Sequence, residues 1–362
     1  MEDCSLKGLV LHGGKGTRLR PLTHTGPKQL IPIANKPMSQ YALEDLEEAG
    51  ISDIAVILGD IAPDKVIEYY GDGSRLGVQL TYIRQDEPRG IAQAVGLARD
   101  FVGDDPFVAY LGDNLLRDGI EDLVEGFKSS QAEAQIALSH VKNPEAFGVA
   151  VLDSQGKLVR LVEKPRTPMS DLALVGVYMF RSRIFHVIDS LKPSARGEME
   201  ITEAIQGLME MGCQVTSHIV SGWWKDTGKP EDILEANQLV LSDLEPFNNG
   251  IVEEGALISG KVGIDEGTTV RKGSSVRGPA IIGKNCEIGP ETYVGPYTSI
   301  GDNSIINGGE IENTIVIGDA VLRCKRRIVD SLIGRNSKIV SADANLPKGY
   351  RLIIGENTSI SI

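Results

Sequence analysis

The chain is 362 residues long, 41% hydrophobic and 24% charged, which fits a globular protein of two domains whose core needs no covalent staples. Its 37 Lys and Arg against 50 Asp and Glu leave a net charge of −13, which excludes a general binder of nucleic acid or anionic membrane but leaves room for a local basic pocket. The four cysteines, Cys4, Cys213, Cys286 and Cys324, make no CxxC pair and have no His at ligand spacing, so reduced, mostly buried thiols are expected and a zinc site is not. The acidic start over residues 1–5 does not resemble a signal peptide, and no apolar run approaches a membrane span, so a cytoplasmic protein is expected.

In chain order, Leu9 to Leu11, Ile54 to Leu58, Leu80 to Ile83 and Phe107 to Leu111 read as buried strands. Between them Met38, Tyr41, Ala42, Leu46 and Ala49 recur at helical spacing, with Gly50 where a C-cap belongs. Ile91 to Phe101 and Ile120 to Phe127 read as further crossover helices. This alternation predicts an α/β domain with a largely parallel sheet, and the closer strands from 134 to 180 predict an added antiparallel part that makes the sheet mixed. Leu239 to Gly250 reads as a helix end and a short linker carrying Pro246, Asn248 and Asn249.

Beyond the linker the period changes. Ile258, Ile264, Val270, Val276, Ile282, Ile288, Val294, Ile300 and Ile306 are spaced by six without exception, and Gly283, Gly289, Gly295 and Gly301 each follow one of them directly. A second train, Ile311 and Ile317, Leu322 and Ile328, Ile333 and Ile339, continues with single-residue slips. Helices repeat every 3.6 residues and lone strands every two. A strict six predicts a solenoid of very short strands, one inward aliphatic per face, with Gly-Pro pairs at 278–279, 289–290 and 295–296 supplying turns. Two domains are expected, 1–245 and 246–362.

The first strand runs directly into Gly13-Gly14-Lys15-Gly16-Thr17-Arg18-Leu19-Arg20-Pro21. This is neither a Walker loop nor a dinucleotide fingerprint, which needs Gly where Leu19 stands. It still has the chemistry of a phosphate cradle: glycines let backbone N–H groups approach anionic oxygens, and Arg18 adds a planar charged fork. Lys28 to Pro32 and Lys36-Pro37 follow at close spacing.

Together these segments resemble the sugar-1-phosphate nucleotidylyltransferases, whose signature is GGxGTRLxPxT, then K-x-x-x-P and a K-P pair. Further matching segments are Gln85 to Ala94, 111–114, 147–149, 163–165, 195–198 and 224–228. Within that family the resemblance is closest to the long type of glucose-1-phosphate thymidylyltransferase, and it spans essentially the whole chain. It implies a Rossmann-like nucleotidyltransferase domain followed by a left-handed parallel β-helix of hexapeptide repeats. The implied reaction is attack by glucose 1-phosphate on the α-phosphorus of dTTP, expelling pyrophosphate and giving dTDP-glucose. Two anions must meet in it, so positive charge and Mg²⁺ matter more than a base.

The resemblance implies Asp113 and Asp226 as Mg²⁺ ligands, with Arg18 and Lys28 neutralising the triphosphate. Lys164 would hold the sugar phosphate and Glu163 would accept from sugar hydroxyls, with Gly148, Leu174 and Arg196 lining the sugar side. Leu11, Gly13 and Gly14 would lie along the nucleotide and Gln29 near the ribose, while Gln85 and the backbone of Gly90 would read the base. A glutamine amide offers both a donor and an acceptor to an imide edge. Thymine and uracil differ by one methyl, worth about 1–3 kcal/mol, so UTP is an expected side substrate.

Two positions depart from the family pattern: His12, where a small residue is usual, is expected to be packed or partly exposed, and Lys15, where a small polar one is commoner, to reach phosphate or solvent. All five histidines precede the repeats, so the solenoid lacks the base that acyl transfer needs; a structural, oligomer-forming or regulatory role and a homo-oligomer are expected. The basic cluster Arg323, Lys325, Arg326 and Arg327 reads as a solvated solenoid edge. Rival readings are a UTP-dependent glucose- or N-acetylglucosamine-1-phosphate uridylyltransferase and a non-catalytic regulatory subunit of the same fold.

Overall fold

The computed structural model describes residues 6–341 and 354–361, and they form two compact units. The first comprises 6–15, 25–30 and 38–226; the second comprises 16–24, 31–37 and the described residues from 227 onward. Cys4 lies outside the described residues. Of the remaining cysteines, all free thiols, Cys286 is buried and Cys213 and Cys324 are half-buried.

The first unit is built on a nine-stranded mixed sheet. Strands β1 (Lys7–His12), β2 (Asp53–Leu58), β3 (Gln79–Arg84) and β4 (Phe107–Leu111) are mutually parallel, with β1 between β2 and β4. A two-residue turn leads from β4 into the short β5 (Asn114–Leu116). The antiparallel part comes from β6 (Ala134–His140), β7 (Gly148–Leu152), β8 (Leu158–Glu163) and β9 (Leu172–Phe180), where β9 pairs with β4, β6 and β7. Strand β10 (Val215–Ile219) runs parallel to β6, and β11 (Trp224–Asp226) pairs with β5 in a separate ribbon.

Side-chain alternation divides the core in two. Leu9, Leu11, Ala55, Ile57, Phe107 and Ala109 face one cluster; Val10, Ile54, Val56, Leu58, Val108 and Tyr110 face the other. Helices α1 (Met38–Glu48), α2 (Pro63–Tyr70) and α4 (Glu121–Ser129) close the second cluster, while α3 (Ile91–Gly96), α5 (Ile184–Ser190) and α6 (Ile201–Glu210) close the first. With both faces covered, β1, β2 and β4 are apolar almost throughout, which is why they read as continuous runs; β3, expected as a buried strand over Leu80 to Ile83, is the sheet edge and fully buries only Leu80, with Thr81 exposed. Gly50, past the end of α1, has φ +77°, and its N–H bonds Glu47 O. The helix expected over Ile91 to Phe101 is broken after Gly96 and resumes only as the short turn Arg99–Val102. A Cβ at Gly96 would come 3.1 Å from Ile188, so close packing against α5 explains the helix-weakening residue at the break.

In the second unit, helix α7 (Pro230–Ser242) precedes three parallel sheets of six, six and five strands, a left-handed β-helix of hexapeptide repeats. Each hexad supplies one strand to one sheet, so Ile264 stands opposite Ile282 and Ile282 opposite Ile300. Val270, Ile288 and Ile306 line the second sheet, and Val276, Val294 and Ile311 the third. Two positions depart from the repeat as read. Ile258 is 38% exposed because its coil is terminal, with a neighbour on one side only. In the second train the fully buried Val316, opposite Ile300 and Ile333, takes the inward place expected of Ile317, so the corner between Ile311 and Val316 is shortened like the one before Ile311. Corners pass through left-handed backbone at Asn285, Tyr297, Asn303 and Asp319, where Asn and Asp are favoured among side-chain-bearing residues.

The hairpin Pro32–Ile33/Lys36–Pro37 belongs to this unit and turns at Ala34 and Asn35, both with positive φ. Asn237 of α7, fully buried, accepts from Ala34 N (2.9 Å) and Ser299 Oγ (2.6 Å) and donates to Tyr297 O (2.9 Å). Among the described residues, no helix is long and apolar enough to cross a membrane.

Candidate active site

The C-terminal ends of β1 and β4 lie side by side, the position where open α/β sheets hold their ligands. Past β1 the chain must turn without side chains. Gly14 has φ +95° and a Cβ there would meet nothing within 4 Å, so the loop is open on that side. Lys15 is exposed. Gln29, buried on the turn Lys28–Leu30, donates from Nε2 to Gly13 O at 3.1 Å. Gln85, buried just past β3, places Oε1 3.1 Å from where a Cβ on Gly13 would stand. The carbonyl oxygens of both amides are buried without a donor. Leu11 is buried in the first core cluster, and its backbone carbonyl accepts from Gly112 N at 3.0 Å. Gly90 has φ +110°, and a Cβ there would lie 2.4 Å from Met199 O, so only glycine lets this loop dock.

Asp113 stands in the two-residue turn after β4, one residue past Gly112. Burial alone would raise its pKa, but the charge and hydrogen bond of Lys28, with the amide of Asn114, outweigh burial and hold it below the usual carboxylate range. Lys28 Nζ donates to Asp113 Oδ2, and Asn114 Nδ2 donates to Oδ1 at 3.0 Å. Asp226 pairs in register with Asn114, one residue from Asp113. Tyr178 reports the convergence: burial first, then the negative charges of Glu163, Asp113 and Asp226, push its phenol well above its ordinary value. Trp224 Nε1 bonds Asn114 Oδ1 at 2.7 Å and its ring packs edge-on against Phe147, which fixes the β5–β11 ribbon.

Glu163 ends β8. Its Oε2 accepts from Thr202 Oγ1 at 3.2 Å and its Oε1 from Arg196 Nη1 at 3.2 Å, with Lys164 Nζ at 3.6 Å. A Cβ at Gly148 would fall 2.7 Å from Thr202, 3.1 Å from Glu163 Oε2 and 3.7 Å from Leu174, so three of the expected sugar-side residues, Gly148, Glu163 and Leu174, meet there. Arg196 also touches Glu198 (3.4 Å) and Glu200 (3.3 Å). Lys164 has φ +39°, and its N–H is held by Phe147 O at 2.9 Å.

Arg18 belongs to the second unit, where a Cβ at Gly228 would stand 3.0 Å from its Nη2. His12 is 2% exposed, packed beneath Gly112, and both ring nitrogens lack a partner. Burial pushes its pKa down to about 3 against a smaller upward pull from Asp113, with Lys28 adding to the depression, so it is a neutral imidazole. Sequence reasoning gave no separate role to Asn114, Thr202, Trp224 or Gln93. Their types are ordinary, and only contact with Asp113, Glu163 or Gln85, or for Trp224 with Asn114, sets them apart.

Two aspartates beside a lysine at sheet-strand ends, with a carboxylate–lysine pair and a shape-complementary glycine nearby, are the parts of an anion-transfer site. The chain belongs to the nucleotidyl transferase family, whose model matches residues 7–243. It is 53% identical over 99% of its length to the whole of the low-salt glycan biosynthesis nucleotidyltransferase Agl11 of Haloferax volcanii. It is 47% identical, over 99% of both chains, to a glucose-1-phosphate thymidylyltransferase of Streptomyces antibioticus. A Bacillus anthracis chain assigned as a glucose-1-phosphate thymidylyltransferase, solved with sucrose, superposes with a TM-score of 0.63 at 40% identity, covering 67% of this chain and 98% of that one. The protein is therefore a nucleotidyltransferase that joins a sugar 1-phosphate to a nucleoside triphosphate, releasing pyrophosphate.

Proposed function

We propose that the enzyme transfers a thymidylyl group from dTTP to α-D-glucose 1-phosphate. The observation that carries this reading is the bare carbonyl of Gln85 facing Gly13, an acceptor for the N3–H of a pyrimidine imide. Likeness over almost the full length of a thymidylyltransferase supports it. Uracil has the same N3–H, so UTP is a second substrate, which differs from dTTP in the base by the thymine methyl and in the sugar by the 2′-hydroxyl.

Asp113 and Asp226 supply two carboxylates at adjacent register positions, a hard-oxygen donor set suited to Mg²⁺, which is commonly held by few protein carboxylates, phosphate oxygens and waters. When bound there, the ion would polarise the phosphoryl oxygens and stabilise charge on the transferring group. Lys28 has three donors, and its bond to Asp113 leaves others for the triphosphate. Arg18 is assigned to the triphosphate as the motif's second cation. Lys164 would hold the sugar phosphate so that its oxygen attacks in line, and Glu163, fixed by Thr202 and Arg196, would accept from sugar hydroxyls. Leu11, Gly14, Gln29 and Gly90 complete the nucleotide side, and Gly148, Leu174 and Arg196 the sugar side. We assign catalysis to 1–245 and a structural or assembly role, as a homo-oligomer in the cytoplasm, to the β-helix at 246–362.

Pyrophosphate release measured with four triphosphates against glucose 1-phosphate and N-acetylglucosamine 1-phosphate tests the reading. The highest kcat/KM is expected for dTTP with glucose 1-phosphate; equal or better turnover with UTP overturns the thymidylyl assignment.

A further inference from the structure

Gln85 has one carbonyl and one amino group, and which of them faces the base determines what the pocket recognises. Its Nε2 is already committed, donating to Gln93 Oε1 at 2.6 Å. Its Oε1, buried and without a donor, is what remains toward Gly13. Gln93 lies in α3, immediately after the Gly90 loop that docks on Met199, so its place is set by backbone contacts: Ala92 N to Met199 O at 3.1 Å and Met199 N to Arg89 O at 2.7 Å.

We propose that Gln93 is the positioning residue for base choice, holding the Gln85 amide so that it presents a carbonyl, and thereby selects bases with an N3–H over cytosine. This rests on the nucleotide-pocket reading above and deepens it. Thymine and uracil donate from N3; cytosine N3 is an acceptor and would face the Gln85 carbonyl lone pair against lone pair. A buried acceptor left without a donor costs about 1–3 kcal/mol, roughly 5- to 150-fold in affinity, enough to decide between these bases. Gln93 acts through Gln85 and need not touch the nucleotide.

The test exchanges the hydrogen-bonding character of position 93. Gln93→Glu offers only acceptors and keeps Gln85 Nε2 engaged; Gln93→Lys offers only donors and draws the Gln85 carbonyl away, turning Nε2 toward the base. The readouts are the ratio of kcat/KM for dTTP over dCTP and the calorimetric Kd of each nucleotide, with melting temperature as the control for folding. Gln93→Glu should keep the ratio within about threefold of the parent and Gln93→Lys should lower it roughly tenfold or more. Should the lysine variant fail to fold, Gln93→Met, which has neither donor nor strong acceptor, should lower the ratio in the same direction. A parent enzyme that favours dTTP while all folded variants keep its ratio, or in which Glu and Lys shift it equally, overturns the role of Gln93 alone. A parent that takes dCTP or purine triphosphates as well as dTTP overturns the pocket reading together with it.

Discussion

The two units treat buried polar side chains in opposite ways. In the β-helix, hydroxyls buried at the corners are partnered across coils: Thr268 Oγ1 receives Cys286 N at 2.8 Å, Thr292 Oγ1 receives Gly308 N at 2.9 Å, and Ser304 Oγ receives Ala320 N at 3.4 Å. Thr298 Oγ1 and the Asn35 carbonyl are the unpartnered atoms of that unit among the described residues. In the sheet unit the unpartnered buried side-chain atoms among the described residues sit on His12, Gln29 and Gln85, and all three residues adjoin Gly13. Folding alone leaves few such groups, because each costs stability. Their gathering at one glycine marks where a ligand's donors and acceptors are expected, while the paired ladder marks a part whose polar groups serve the fold.

The largest test of that contrast lies at Asp113. Asp113→Asn keeps the shape beside Asn114 and removes the charge assigned to the metal and to Lys28. Pyrophosphate release should fall about 10³-fold or more, a scale typical of losing one preorganised charge-stabilising group, while the melting temperature changes by only a few degrees. Turnover within tenfold of the parent would show that the convergence of Asp113, Asp226 and Glu163 about Tyr178 serves packing instead.

His12 gives the second test, in stability and pH. Its folded pKa, about 3, lies below the ordinary 6.5, so below pH 6.5 the unfolded chain takes up a proton that the folded chain refuses. Stability should therefore fall as pH drops through the window from 6.5 toward 3. At pH 5 the loss from this group is about 2 kcal/mol relative to pH 7. Denaturant unfolding of the parent and of His12→Ala at both pH values isolates it: the variant should lose less stability on acidification by about that amount. Equal losses would mean that the imidazole is hydrated and belongs with the well-satisfied groups.

Much of this was legible in the sequence, and unevenly so. The β-helix could be read because a flat face repeats its inward residue every six positions, and the reading slipped at Ile317 because a shortened corner moves the inward place to Val316 without changing composition. The inner parallel strands could be read because burial on both faces makes them almost uniformly apolar, whereas the edge strand β3 fully buries only Leu80 and was read as more buried than it is. The break after Gly96 was not, since a lone glycine in a helical pattern carries no sign of the helix it packs against. At the site, Asp113, Asp226, Lys28 and Glu163 were singled out through motif resemblance. Asn114, Thr202 and Gln93 were passed over because an amide or hydroxyl acquires meaning only from the group it orients.

The smallest effect sharpens the other side of the contrast. Thr268→Val keeps the side-chain shape and removes the oxygen that accepts from Cys286 N, in a position with no exposure. It also releases Gly283 O from its bond to the hydroxyl. A buried backbone N–H left without an acceptor costs about 1–3 kcal/mol. The unfolding transition of the β-helix should weaken by about that amount, and the Cys286 amide should exchange with solvent about tenfold faster. The kcat/KM for pyrophosphate release should stay at the parent value, because this hydroxyl's bonds lie wholly within the ladder. A fall in turnover out of proportion to the loss of stability would break the division and assign the ladder a part in catalysis.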